Sequence, residues 1–245
     1  MPKNREEENL IFASVPSPLG DSSTGIMLKE IRLLLYKEFM LETRQKQSLN
    51  GIILYLVSTI FVCKMSFRSL PQPAAWNALF WIIMLFASVN AAGKSFIQDS
   101  RARFVYMYTV ASPQAIIIAK VLYNMLLMLL LSIIGFLVYV ILLGGNPIQN
   151  MPLFLADVVL GSMGFSCVLT TMSAIASRTS NSFTLMAVLS FPILLPLLMT
   201  VLKISKNALD GIDPALSYKY LLVLACINVI TGVLSYLLFP YLWKD

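Results

Sequence analysis

The sequence contains no histidine among its 245 residues. Histidine is the commonest general base, metal ligand and haem ligand in proteins, so Ser–His or Cys–His catalysis and a histidine-based zinc centre are excluded. Cysteine is scarce, and the spacing of Cys63, Cys167 and Cys226 suits neither a zinc site nor a redox pair. We therefore expect a conduit or scaffold, not an enzyme, with no resident metal or cofactor.

Charge is also scarce. Only 12% of the residues are charged, whereas 58% are hydrophobic. Asp, Glu, Lys and Arg are absent from four long stretches, residues 47–63, 69–93, 179–202 and 220–243. A helix needs about 20 mostly apolar residues to cross the ~30 Å hydrocarbon layer of a bilayer. The composition excludes an ordinary soluble domain and indicates a membrane protein with several spans.

Six apolar runs of spanning length follow residue 48. A bilayer admits only helices or closed barrels, and these runs lack the alternation of barrel strands, so each run predicts a helix. The residues Gly144-Gly145-Asn146-Pro147 predict a tight turn between the third and fourth spans. The expected spans are residues 49–65, 75–96, 116–143, 153–176, 182–202 and 220–243.

The region before the first span has two parts. Residues 1–26 are polar and interrupted by proline and glycine, which predicts a disordered tail and makes Met27 a candidate alternative start. Residues 28–46 combine apolar residues at helical spacing with interspersed basic residues, which predicts an amphipathic helix lying in the membrane interface. The alternative is a helix packed on another protein. Residues 27–245 then form one membrane domain.

The net charge of +6 has a topological explanation. The basic residues lie in loops and at the ends of apolar runs, where Lys and Arg fix orientation, so nucleic acid is not an expected partner. Without the tail, eleven basic residues lie on one side of the membrane: Lys29, Arg32, Lys37, Arg44, Lys46, Lys94, Arg101, Arg103, Lys120, Arg178 and Lys244. Five lie on the other: Lys64, Arg68, Lys203, Lys206 and Lys219. Both termini are therefore predicted to be cytoplasmic.

Three ionisable residues fall within or at the edges of spans, where charge is expensive and raises the question of function. Lys64 and Lys120 lie near opposite boundaries, and we expect both to snorkel towards water. Asp157 lies in the outer half of the fourth span, where it pairs with another span or lines an aqueous vestibule. A proton relay is not expected, since no second acid or histidine is available to pass the proton on.

The segment between the second and third spans, residues 94–115, is unusual for a cytoplasmic connection. It mixes Asp99, Arg101 and Arg103 with several aromatic residues, among them Phe96, and ends in Ser112-Pro113. Such apolar area predicts that the segment docks into a groove on a partner or lies in the membrane interface.

Two prolines interrupt the fifth span. Pro192 and Pro196 each lack an N–H and crowd the carbonyl four residues earlier, so they predict a kink or break in the helix. This kink serves either as a gate or as a static bend filled by neighbouring side chains.

Three stretches of the sequence are distinctive. They are Lys37-Glu38-Phe39 with Glu42 and Arg44, then Phe96-Ile97-Gln98-Asp99 with Ser112-Pro113 and Ala119-Lys120, and finally Pro192-Ile193-Leu194-Leu195-Pro196-Leu197-Leu198. Together they resemble the CcmB family, the permease of the haem exporter in cytochrome c maturation. Ser100-Arg101-Ala102-Arg103 stands where the family typically has Asp-Gly.

The resemblance implies an all-α permease of the ABC exporter type in the bacterial inner membrane, with six spans and an interfacial N-terminal helix. A separate CcmA-like ATPase would hydrolyse ATP, because the chain has no Walker motifs. Haem would be the cargo, and a CcmC-like membrane subunit and a CcmE-like haem chaperone would be partners. Residues 94–115 would form the coupling segment on the ATPase, with the roles falling on Phe96, Asp99, Arg101, Arg103, Ser112 and Pro113.

Two other functions stay open at this point. A permease for another cargo, such as a lipid, drug or polysaccharide, satisfies the same physical pattern. A membrane scaffold that assembles partners without transport does so as well.

Overall fold

The computed structural model describes residues 23–44, 46–67, 72–97, 112–144, 147–177, 179 and 182–240. Within these residues the regular structure is helical, and the chain forms seven helices. They are α1 (Ser23–Arg44), α2 (Lys46–Ser66), α3 (Pro73–Ile97), α4 (Pro113–Leu143), α5 (Met151–Ala176), α6 (Ser182–Leu209) and α7 (Pro214–Leu238).

Five of the helices, α3 to α7, are long and apolar enough to cross a membrane. The apolar part of α2, Asn50–Ser66, is shorter. Each of the six apolar runs coincides with one helix from α2 to α7. An all-α multi-pass membrane fold is therefore confirmed, while a membrane crossing by α2 stays a prediction.

Consecutive helices from α2 to α7 run in alternate directions. At one end of the bundle the Lys64 ammonium of α2 donates to the carbonyl of Leu143, the last residue of α4, at 3.4 Å. At the same end the backbone N–H of Asn150, which precedes α5, donates to the carbonyl of Ala208 in α6 at 2.9 Å. We call this the hairpin end, and the opposite end, where α1 lies, the α1 end.

Helix α5 is the central element and contacts α3, α4, α6 and α7. Its small residues allow this, because helices in a membrane associate through close backbone approach more than through hydrophobicity. A Cβ atom at Gly161 would lie 2.6 Å from Cη2 of Trp81, and one at Gly164 would lie 2.6 Å from Cδ1 of Leu197. Glycine at these positions lets large side chains of α3 and α6 pack directly on the α5 backbone.

Aromatic rings fill the space between α3, α4 and α5 towards the hairpin end. The rings of Trp76 and Tyr139 meet edge to face with centroids 4.9 Å apart, a favourable arrangement for aromatic pairs. The Tyr139 hydroxyl also donates to the Trp76 carbonyl at 2.8 Å, so this buried polar group is satisfied. The other members of the cluster are Phe80, Trp81, Phe136, Phe154 and Phe165.

Two helices extend beyond their predicted bounds at the hairpin end. Helix α6 continues past residue 202 to Leu209, because a charged residue ends an apolar run without ending the backbone hydrogen-bond ladder. Helix α7 starts at Pro214, six residues before position 220, and the Asp213 carboxylate caps it by accepting from the Ala215 N–H at 3.0 Å. The Lys203 ammonium lies 4.4 Å from the centroid of the Tyr220 ring.

Candidate functional site

The start of α4 is built around Ser112 and Pro113, which follow the predicted coupling segment directly. Pro113 takes the first helical position, which needs no backbone donor, and Ser112 is extended at φ −66° and ψ 141°, as proline requires of the preceding residue. The Ser112 side chain does not cap its own helix. Something else must therefore satisfy this helix end.

Glu30 of α1 provides that group. Its carboxylate accepts from the Ser112 hydroxyl at 2.8 Å and from the Ser112 N–H at 3.3 Å. A carboxylate at this position also interacts favourably with the positive end of the α4 macrodipole. Helix α1 thus supplies a carboxylate to the residue that precedes α4, across 82 residues of sequence.

A second polar contact joins the same two helices. The Lys120 ammonium lies 3.5 Å from the Glu38 carboxylate, which is also 3.3 Å from the Lys37 ammonium. Lys120 is 2% exposed, so the prediction that it snorkels towards water is wrong. Its charge is balanced inside the protein by a carboxylate from the neighbouring helix, which is the usual condition for burying an ammonium.

Apolar packing lies between the two polar contacts. Leu34, halfway between Glu30 and Glu38, packs against a small buried cluster at the α1 end. The cluster joins α4 to the ends of α5 and α7, and its buried members are Ile116, Ile117, Ala174 and Phe239.

Of the residues predicted to couple, the structure brings Ser112 into contact with α1, and Pro113 begins α4. Phe96 lies in the last turn of α3, and its side chain falls outside the described part. Asp99, Arg101 and Arg103 lie outside the described residues. Their coupling role stays a prediction.

Asp157 is buried within a chain of hydrogen bonds near the hairpin end. The Ser205 hydroxyl donates to Oδ2 of Asp157, and the Trp81 indole N–H donates to Ser205 Oγ at 2.7 Å. One turn away, Nδ2 of Asn77 donates to the Leu202 carbonyl at 3.0 Å. Asp157 therefore pairs with another helix, one of the two arrangements expected for it, and the contacts join α3, α5 and α6.

Helix α6 runs without a break through Pro192 and Pro196. Both prolines lie on the exposed face of the bundle. The Thr200 hydroxyl donates to the Pro196 carbonyl at 2.7 Å. A gating role for the two prolines stays a prediction.

The profile of the CcmB protein family matches residues 29–241, which is most of the chain. The chain belongs to the CcmB family. No match is found among the curated proteins.

Membership of the CcmB family implies an ABC-type haem-export permease of cytochrome c maturation. The apolar helices α3 to α7 accord with that membrane function. Members of this family are transporter permease subunits and are generally not enzymes.

Sequence reasoning missed Glu30 and Glu38 as site residues of this CcmB-family chain. Each lies on α1, far from its partner in sequence, so neither stands out by itself. The spacing does carry a signal, since a polar–apolar–polar pattern at four-residue intervals occurs both in Glu30-Leu34-Glu38 and in Ser112-Ile116-Lys120. Two such patterns predict two helix faces that match each other.

Proposed function

We propose that this chain is the membrane permease subunit of an ATP-driven complex that exports haem, or releases a haem-loaded chaperone, in cytochrome c biogenesis. The observation that carries the proposal is the CcmB family match over residues 29–241, joined to a bundle with five helices of spanning length. A CcmA-like ATPase would supply the energy, and CcmC-like and CcmE-like proteins would handle the haem.

The membrane arrangement that we propose has six spans with both termini in the cytoplasm of a cell with an inner membrane. Helix α2 adds a sixth span to the five from α3 to α7, since its 17-residue apolar part, Asn50–Ser66, reaches about 26 Å at 1.5 Å per residue. The eleven-to-five distribution of basic residues supports placing the α1 end in the cytoplasm.

Helix α1 is proposed to lie against the inner leaflet. The face opposite its contacts with α4 is exposed and carries Leu28, Tyr36 and Phe39 at 67%, 56% and 64% exposure. Lys29 and Arg32 are exposed beside them. Apolar and aromatic side chains flanked by cations suit an interface with anionic headgroups.

The coupling segment is proposed to transmit movements of the ATPase to the bundle. It leaves the end of α3 at Phe96 and enters α4 at Ser112-Pro113. A displacement of the segment would therefore act on two helices that contact each other and the central helix α5.

Reversing the three charges Asp99, Arg101 and Arg103 together tests this function. We expect the ATPase to stop co-purifying with the permease and the yield of c-type cytochromes to fall, while the variant still accumulates in the membrane. The matched control reverses Lys203, Lys206 and Lys219 at the hairpin end. Normal ATPase association and normal cytochrome yield in the first variant would show that the segment is not the coupler.

The cargo needs a separate measurement. The complex should be purified in mild detergent with its companions and its visible spectrum recorded. We expect a haem Soret band that is lost when the ATPase is inactivated or when the haem-handling subunit is absent. A complex that turns over ATP in response to a lipid or drug, and never carries haem, would favour the other cargo classes.

A further inference from the structure

The contacts between α1 and α4 follow one spacing. Glu30 contacts Ser112, and Glu38 contacts Lys120. The two residues on α1 are eight positions apart, and so are their two partners on α4. Leu34 and Ile116 lie midway, and Leu34 packs on the cluster that contains Ile116. We call these six residues the paired face.

Equal spacing in the same chain direction means that α1 and the first turns of α4 run side by side and parallel. Eight residues cover about 12 Å in each helix, or a little over two turns. A shift of one helix along the other by a single turn, about 5.4 Å, would separate both polar pairs at once. The paired face therefore holds one register between the two helices.

Both polar contacts would be costly to leave open. Ser112 does not use its hydroxyl to cap α4, so without Glu30 both the hydroxyl and the backbone N–H of Ser112 lose their carboxylate partner. Without Glu38, the buried Lys120 loses a carboxylate that lies 3.5 Å from its ammonium. A rigid connection is consequently expected where the segment 98–111 enters α4.

Helix α1 ends at Arg44 and α2 begins at Lys46, so the two helices are consecutive in the chain. A movement imposed on the start of α4 would thus be passed through the paired face to α1, and from α1 to the start of α2. The segment 98–111 would then act on α1 and α2 as well as on α3 and α4, the two helices that it connects in sequence.

We propose that α1 and the first turns of α4 form one coupling lever, and that Glu30 and Glu38 are positioning residues that hold it together. This proposal rests on the proposed function, because a lever needs an ATPase to move it. It adds that the N-terminal helix moves with α4 during the cycle and carries the movement to α2.

The first test weakens each polar pair conservatively in the complete complex purified from membranes. Glu30→Gln and Ser112→Ala keep the side-chain size nearly constant. We expect both variants to retain the ATPase, while the c-type cytochrome yield per unit of ATP hydrolysed falls at least about fivefold, the effect of roughly one lost interaction. Ser66→Ala, whose exposed hydroxyl at the hairpin end donates to the Val62 carbonyl of its own helix, is the control and is expected to leave the ratio unchanged.

The second test exchanges the charges of the buried pair. Each of the single variants Glu38→Lys and Lys120→Glu is expected to lower the amount of the complex. Each is also expected to lower the ratio of c-type cytochrome yield to ATP hydrolysed. The double variant Glu38→Lys with Lys120→Glu is expected to restore the ratio to within about threefold of the parent, as interacting pairs do in a double-mutant cycle. Failure of the double variant to recover over both single variants would overturn the proposal.

These results are distinguishable from a failure of the proposed function. If the parent chain itself carries no ATPase, the proposed function fails, whatever the variants do. If the parent couples ATP hydrolysis to cytochrome yield, and Glu30→Gln and Ser112→Ala reduce only the amount of complex with an unchanged ratio, the paired face is purely structural and the lever proposal is wrong.

Discussion

At the scale of single residues, three polar contacts join different helices of this bundle. The Glu30 carboxylate accepts from Ser112, the Glu38 carboxylate pairs with the Lys120 ammonium, and the Ser205 hydroxyl donates to Asp157. Burying a polar group without a hydrogen bond costs more than the bond itself contributes, so the polar side chains fix which helices are neighbours. Apolar packing alone would allow many arrangements of similar helices.

Ser205 provides the first prediction. Ser205→Ala removes the hydroxyl that accepts from the Trp81 N–H and donates to Asp157 Oδ2. Both of those buried atoms then lose a partner, beside Asp157 Oδ1, which has no hydrogen bond among the described residues. We expect a loss of about 2 kcal/mol in stability, seen as a lower midpoint of thermal aggregation in detergent. The control is Ser58→Ala, whose exposed hydroxyl donates only to the Leu54 carbonyl of its own helix. Equal midpoints for the two variants would refute the structural role of Ser205.

Gly161 provides the second prediction. Gly161→Ala places a methyl group 2.6 Å from the fully buried ring of Trp81, which has little freedom to move. Overpacking of this kind typically costs about 1–3 kcal/mol, so the same thermal midpoint should fall. Gly51→Ala is the matched control, because a Cβ there meets no atom within 4 Å. A Gly161→Ala protein as stable as Gly51→Ala would show that α3 and α5 are packed less closely than described.

At the scale of helices, length and proline content distinguish the elements. Helix α6 carries two prolines yet is continuous, and both face outwards. Each proline leaves a carbonyl without its usual donor, four residues earlier. Such a helix bends more easily than its neighbours, although its buried face keeps its contacts.

Replacing the two prolines gives the third prediction. Pro192→Ala with Pro196→Ala restores two backbone donors and removes no buried side chain, so the thermal midpoint should rise. If bending of α6 gates the cargo path, the c-type cytochrome yield should fall severalfold at normal protein levels. Pro73→Ala, at the exposed first turn of α3, is expected to change neither. Unchanged cytochrome yield in the double variant would leave the prolines with a static role.

At the scale of the whole molecule, the alternation of α2 to α7 places defined positions on opposite sides of the membrane. Asp210 lies at the hairpin end and Thr179 near the α1 end, and both are exposed. The two positions offer a direct test of orientation.

The fourth prediction concerns labelling from outside the cell. In a chain without its three native cysteines, Asp210→Cys should react with an impermeant maleimide on intact spheroplasts. Thr179→Cys should react only after the membrane is permeabilised. The reverse labelling pattern would place the α1 end outside and exclude a cytoplasmic ATPase contact there.

The sequence was sufficient to locate the helices, because hydrocarbon demands about 20 apolar residues in a row and charge marks the ends of each run. The helices α6 and α7 extend beyond the predicted spans, since the apolar run ends at Leu202 while the hydrogen-bond ladder continues to Leu209, and α7 starts at Asp213-Pro214 before its apolar run. Apolar periodicity shows where a helix lies in the bilayer but not where its backbone ladder stops.

The partners of polar residues were harder to predict. Asp157 was recognised as unusual, but its partner Ser205 is 48 positions away and carries no distinctive pattern. Lys120 was assigned to water because the sequence does not show that Glu38 lies beside it. Such pairs follow from how helices pack, which depends on the fit of many side chains at once.

The contact of Lys203 with the Tyr220 ring marks the point where the apolar run of α6 ends. From Ser182 to Leu202, α6 covers about 31 Å, which equals the thickness of the acyl-chain region, and an amine against a phenol ring belongs at its border with the lipid glycerol. The remaining turns of α6 rise about 10.5 Å further, through the headgroups. A water-soluble molecule that approaches the hairpin end would therefore first contact the exposed connection between α6 and α7, which carries Asp210 and Asp213.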